Sequence, residues 1–176
     1  METKINSQLI YDGAIIKVYQ DQVVVEENNL TTIREVVRHH GGVGIVAIHQ
    51  GKIVLVKQFR YSINQYTIEI PAGKIEINEQ PLLCASREIE EETGYRAKEL
   101  TSILKIIPTP GYFDEEIHLF YTNDIIKVVN PRDADIDEFI DVVEMDIDEA
   151  YQLVKEGKII DAKTIIAIMY AKLESM

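Results

Sequence analysis

Residues 73–95, GKIEINEQPLLCASREIEEETGY, decide how the rest of the chain is read. Their second half reads as one helix. Pro81 suits a first-turn position, where its missing N–H costs nothing, and Gly94 stands where a helix would stop. Leu82, Ala85, Ser86 and Ile89 recur at three- and four-residue spacing, which predicts the face packed on a core. At ~100° per residue, Glu88, Glu91 and Glu92 share one narrow stripe beside that face. Arg87 lies four residues before Glu91, within ion-pair reach. Carboxylates crowded in this way repel one another and raise each other's pKa unless a cation neutralises them. Mg²⁺ and Mn²⁺ prefer oxygen ligands, commonly a few carboxylates plus substrate phosphates, so the stripe is a candidate site for a hard cation. A solvated acidic helix face would carry the same run, and the flanking residues must separate the two readings.

The chain has 176 residues, 46% hydrophobic and 27% charged, which suits one globular domain with a sizeable core. Its net charge is −12, from 30 acids against 18 bases. An acidic surface argues against nucleic acid or an anionic membrane as partner, because phosphate neutralisation needs Lys and Arg patches. A phosphate substrate stays open if metal ions supply the positive charge. Cys84 is the only cysteine, so no internal disulfide forms, in keeping with a reducing compartment. Its place in the helix predicts packing rather than nucleophilic work. The first residues carry no apolar signal segment, and no run of eighteen apolar residues occurs, so a soluble cytoplasmic protein is expected.

From about residue 9 to 38 the pattern is one of short strands, with Asn28-Asn29 as a turn. Two β-rich runs, 43–48 and 53–59, follow Gly41-Gly42 and are joined around Gln50-Gly51. Their near-continuous apolar character predicts a sheet covered on both faces. Arg60 ends the second run, where it would meet an anionic ligand or only solvent. Residues 67–70 read as a strand and Pro71-Ala72-Gly73 as a sharp turn, able to leave the Ala72 carbonyl unpaired. Strands are expected at 102–107, 117–121, 125–129 and 139–143. The loop at 108–111 holds two prolines and a glycine. Residues 130–137, NPRDADID, with Glu138 beside them, read as an acidic loop. Either it is a loop of solvated acids, or one of its acids swings over the stripe to activate water. Asp146 or Asp148 caps a helix to about Lys155, and Asp161 caps the last one, with Ile165, Ile168 and Met169 facing the core. His118 sits inside a strand pattern and is given no role.

Gly73, Glu79, Arg87, Glu88, Ile89, Glu91, Glu92 and Gly94 match position for position the Nudix box, Gly-x5-Glu-x7-Arg-Glu-U-x-Glu-Glu-x-Gly-U, where U is a large aliphatic. The chain resembles a Nudix hydrolase. Tyr95 at the last position is the one departure; it bears on packing and spares the acids. The resemblance implies an α/β fold, an α/β/α sandwich around a mixed sheet, and hydrolysis of a nucleoside diphosphate linked to another group. It makes Glu88, Glu92 and the Ala72 carbonyl metal ligands with Glu91 assisting, for Mg²⁺ or, as the alternative, Mn²⁺. Arg87 would orient Glu91, while Gly73 and Glu79 would be structural.

Pro110, fifteen residues beyond Tyr95, is the mark of the ADP-ribose pyrophosphatase branch. Residues 69–74 (EIPAGK), 58–61 (QFRY) and 150–164 (AYQLVKEGKIIDAKT) resemble that branch too. The branch implies a homodimer whose N-terminal β arms, here residues 1–40, exchange beside the Nudix domain, here 41–176. Arg34 would then reach the partner's substrate pocket, and Glu69 would lie near the nucleotide. The general base would come from residues 135–138, Glu138 first and Asp135 or Asp137 next, with Glu115 a further contact to substrate or proton. Another nucleotide sugar, such as GDP-mannose, is the alternative substrate. A non-catalytic nucleotide-binding regulator would predict damaged box acids, and none is damaged.

Overall fold

The computed structural model describes residues 1–132 and 139–175, and its contacts divide them into two compact units. One comprises Met1–Gly41 and Ile107–Glu116, the other Gly42–Ile106 and Ile117–Met176.

In the first unit, β1 (Glu2–Asp12), β2 (Lys17–Val25) and β3 (Leu30–Arg38) form an antiparallel meander. Asn29, at φ 54°, closes the β2–β3 turn in the left-handed region that asparagine tolerates. β1 starts seven residues earlier than the pattern suggests. Its residues are all exposed, so no buried face imposed an alternation that could be read. The returning segment pairs with β3 through Val37, whose N–H donates to the Tyr112 carbonyl at 2.7 Å while its carbonyl accepts from Asp114 N at 3.2 Å.

The second unit contains β4 (Gly42–His49), β5 (Lys52–Arg60), β6 (Gln65–Glu69), β7 (Ala72–Lys74) and helix α1 (Pro81–Thr93). It continues with β8 (Tyr95–Ala97), β9 (Thr101–Ile106), β10 (Ile117–Thr122), β11 (Ile125–Lys127) and β12 (Asp141–Asp146). Helices α2 (Ile147–Lys155) and α3 (Ala162–Glu174) complete it. The main sheet runs β12-β5-β4-β10-β9, with β6 added to β5 and β7 to β4, while β8 and β11 pair separately. Only the β4–β10 pairing in it is parallel, so the sheet is mixed. The β4–β5 turn at Gln50 (φ 51°) and Gly51 (φ 81°) is the one the sequence predicts.

Side chains alternate across a strand, and β4 uses both faces. Val43, Ile45 and Ala47 pack with Cys84, Ala85 and Ile89 of α1. Val46 packs on the other side with Ala150 of α2 and Ala167, Ile168 and Ala171 of α3. Each buried Val or Ile among them contributes roughly 1.5–3 kcal/mol relative to exposure, and this double coverage is why the central strands read as unbroken apolar runs. The result is the expected α/β/α sandwich. Gly44 is required within it: a Cβ there would lie 2.7 Å from Ile70 Cδ1 and 2.9 Å from Leu119 Cδ2.

Several boundaries differ from expectation. Residues 72–74 are a strand, held on β4 through the pairs Val43↔Gly73 and Gly44↔Ala72, rather than part of a free turn. β12 begins at Asp141, two residues late, and β11 is shorter than expected. Leu82 and Met169 are exposed, whereas Cys84 is buried. The buried positions of α1 are 84, 85, 88, 89, 90, 92 and 93, and three of them are glutamates. An apolar count could not select a face that buries acids.

Candidate active site

Helix α1 begins with Pro81 at its first turn and ends on Gly94 at φ 67°, whose N–H donates to the Glu90 carbonyl at 2.9 Å. That geometry aims Glu88 and Glu92, both buried, back at β7. The Ala72 N–H donates to Glu92 Oε2 at 2.9 Å. Gly73 faces Glu88 so closely that a Cβ there would stand 1.9 Å from its carboxyl carbon. The box glycine therefore makes room for a box acid.

Arg87 gathers the acids. Its Nη1 donates to Glu88 Oε1 at 2.7 Å and Glu91 Oε2 at 2.8 Å, and its Nε and Nη2 each reach a Glu79 oxygen at 3.0 Å. The ion pair with Glu91 is as read from the sequence; those with Glu88 and Glu79 are additional. One planar fork thus offsets the repulsion of three carboxylates. The Arg87 hydrogen bond lowers Glu79 to about 2, against a smaller upward push from burial. The Glu79 hydrogen bond in turn raises Arg87 beyond its ordinary value. Glu79 also accepts from the Glu76 N–H at 2.9 Å, tying the loop before α1 to the same centre. Cys84 donates to the Lys74 carbonyl at 3.2 Å, and burial pushes its thiol up, which makes it a packing residue and no nucleophile.

A second charged group lies on the β5–β6 hairpin. Arg60 and Glu69, read separately as contacts for substrate, are bound to each other in a bidentate pair, Nε–Oε1 and Nη2–Oε2 both 2.7 Å. Thr67 Oγ1 donates to Glu69 at 2.6 Å and Lys163 Nζ at 2.5 Å. Burial drives Glu69 up, but the hydrogen bond from Arg60 and the charge of Lys163 outweigh it and hold the group at about 2. Arg60 is raised first by its Glu69 hydrogen bond, with smaller contributions from the charges of Glu92 and Asp161. Lys163 and Thr67 were missed by the sequence reading. The available signal was the Asp161 cap, since Lys163 falls two residues inside it and turns toward Glu69.

In the first unit, Arg34 holds Glu2 through Nε at 3.1 Å and Nη2 at 2.5 Å. Arg34 and Pro110 line a hollow of about 440 Å³ together with Tyr112, Phe113 and Asp114. Glu115 lies 3.4 Å from His39 Nδ1. Glu138, Asp135 and Asp137, the candidate bases, lie outside the described residues.

Among the described residues no three acids, histidines or cysteines converge closely enough to cage a metal unaided. A hard cation needs no full protein cage, because it takes a few carboxylates and completes its shell with water and substrate oxygens. The donors here are oxygen only, and Glu88 and Glu92 are buried against β7 rather than turned to open solvent, so the residues fit such an ion.

The model of the NUDIX domain matches residues 38–167. The chain belongs to the Nudix family. It is a Nudix hydrolase, and hydrolases of this family generally work with a divalent metal. An ADP-ribose pyrophosphatase of Bacillus subtilis (strain 168) is 40% identical over 174 residues, 98% of this chain and 94% of that protein. A methanol dehydrogenase activator of Bacillus methanolicus is 41% identical over 174 residues, with the same two coverages. A solved structure titled as an ADP compounds hydrolase aligns with a TM-score of 0.85 over 99% of this chain and 93% of that one. At 20% identity it speaks for the Nudix fold alone. No helix among the described residues is long and apolar enough to cross a membrane.

Proposed function

We propose that this Nudix hydrolase cleaves the pyrophosphate of ADP-ribose with water, giving AMP and ribose 5-phosphate. The observation that carries the reading is the pair Glu88 and Glu92, buried against the Ala72–Gly73 strand, with Arg87 joining Glu88 to the half-buried Glu91. The 40% identity to an ADP-ribose pyrophosphatase over almost the whole chain supports the substrate.

Glu88, Glu92 and the Ala72 carbonyl, with Glu91 assisting, would hold Mg²⁺, or Mn²⁺ in its place. Such a cation supplies charge against the diphosphate and brings the pKa of water from above 15 toward ~7 in the best cases. Arg87 keeps Glu88 and Glu91 together despite their repulsion, and Gly73 keeps Glu88 seated. Arg60 offers its guanidinium to a phosphate of the substrate, and Glu69 holds Arg60 ready. Glu138, or else Asp135 or Asp137, takes the proton of the attacking water. The water oxygen bonds to one phosphorus, and the bridging oxygen leaves on the other phosphate.

Residues 1–40 form an arm exchanged within a homodimer in the cytoplasm, which brings Arg34 to the partner's pocket, and 41–176 form the catalytic domain. Pro110 shapes the loop beside Glu115, the further contact to substrate. The test is a panel of nucleoside diphosphate sugars with Mg²⁺ and Mn²⁺, following nucleoside monophosphate release by chromatography, with light scattering for the dimer. ADP-ribose should give AMP at the highest kcat/KM. Faster turnover of GDP-mannose would redirect the substrate, and no turnover of any member would make the protein a non-catalytic regulator.

A further inference from the structure

Glu69 has two cationic partners of different standing. Its own side chain is 3% exposed, that of Lys163 11% and that of Arg60 40%. Lys163 comes from the first turn of α3, bonded to Glu69 at 2.5 Å and to Asp161, the cap of that helix, at 3.1 Å. The same turn is fixed to the β6–β7 corner by Thr164, fully buried, whose hydroxyl oxygen accepts from Ile70 N at 2.9 Å. Lys163 is thus anchored, and Arg60 sits on the accessible side.

A buried carboxylate stripped of its last counter-ion is strongly destabilised, which would lock any arginine that served it alone. Glu69 escapes that limit, because Lys163 and the Thr67 hydroxyl at 2.6 Å remain when Arg60 turns away. We propose that Lys163 is a positioning residue: it is the standing counter-ion of Glu69, and it frees Arg60 to leave Glu69 and take a phosphate of the substrate. The inference rests on the proposed phosphate role of Arg60 and adds the residue that makes the exchange affordable. Lys163 itself touches no substrate.

The test compares wild type with Lys163→Met, Lys163→Gln, Lys163→Arg, Arg60→Met and the double variant Arg60→Met/Lys163→Met. Steady-state kinetics on ADP-ribose are paired with calorimetric binding of AMP, and thermal melting establishes folding. Neutral Lys163 variants should tie Arg60 to Glu69, raising KM and weakening AMP about tenfold, with kcat within about threefold. Lys163→Arg should restore both to within about threefold, and Lys163→Met should add nothing in the Arg60→Met background. Lys163→Gln keeps a hydrogen-bond donor to Glu69 and stands in if the methionine variant does not fold. Unchanged KM and AMP affinity in a folded neutral variant would overturn the proposal, as would effects of Arg60→Met and Lys163→Met that multiply. If wild type turns over ADP-ribose and Arg60→Met is impaired while the neutral Lys163 variants match wild type, only the role of Lys163 fails. If wild type turns over no substrate, the substrate reading fails and the AMP cycle still decides Lys163.

Discussion

The carboxylate of Glu88 occupies the space that any side chain at position 73 would need. A Cβ there would stand 1.9 Å from Glu88 Cδ and Oε1 and 2.4 Å from Oε2. The backbone at 73 lies on β7, paired with Val43 of β4, so the clash cannot be relieved by moving a loop. Gly73→Ala must therefore push Glu88 out of line. Overpacking of this kind costs about 1–3 kcal/mol, and at the proposed cation site the displacement should cost about ten- to a hundredfold in activity. Urea unfolding and kcat/KM on ADP-ribose check both numbers. Wild-type values in this variant would mean that Glu88 has no fixed place.

Arg87→Lys keeps the positive charge and loses the fork. A single ammonium cannot span Glu79, Glu88 and Glu91, which the guanidinium reaches at 2.7–3.0 Å. Activity should fall roughly ten- to a hundredfold, with an increased requirement for divalent cation as the acids spread apart. Titrating Mg²⁺ against turnover in both proteins measures this, and matching titrations would remove Arg87 from the site.

Glu92→Gln keeps size and can still accept from the Ala72 N–H, the bond that measures 2.9 Å. What it removes is the charge of a proposed ligand. Turnover should drop on the order of a hundredfold or more while circular dichroism and melting stay close to wild type. Near-normal turnover would exclude Glu92 as a ligand.

Glu69 gives a pH prediction. Folding lowers it to about 2, whereas in the unfolded chain it titrates near ~4.3. A depressed carboxylate contributes stability that is fully present above about pH 4.5 and is lost as pH falls from there through about 2. The amount is about 3 kcal/mol, and the nearly complete burial of the side chain leaves little solvent screening to reduce it. Urea midpoints of the wild type should fall more steeply between pH 5 and 2.5 than those of Glu69→Gln. Parallel curves would mean that Arg60 and Lys163 do not hold the charge.

The residues proposed to carry the chemistry could be picked out because the family motif fixes their spacing within one helix. Glu88, Glu91, Glu92 and Arg87 lie within six consecutive positions, so helical geometry alone sets them on one side. The central hairpin was legible for a similar reason, since Gln50-Gly51 and two apolar runs are local signals. β1 was only half legible, because an exposed strand writes no alternation, and β7 hid behind a Pro-Gly pair that resembles a turn.

By itself the sequence determined the family, the acidic stripe and the covered sheet, all features set by neighbours a few residues apart. Tertiary structure alone decided that Glu88 and Glu92 face inward against β7, that Arg60 and Glu69 are partners rather than independent contacts, and that Lys163 joins them from 94 residues away. Those outcomes depend on which strands and helices lie side by side. No periodicity within a segment encodes how one charged side chain will be shared between segments.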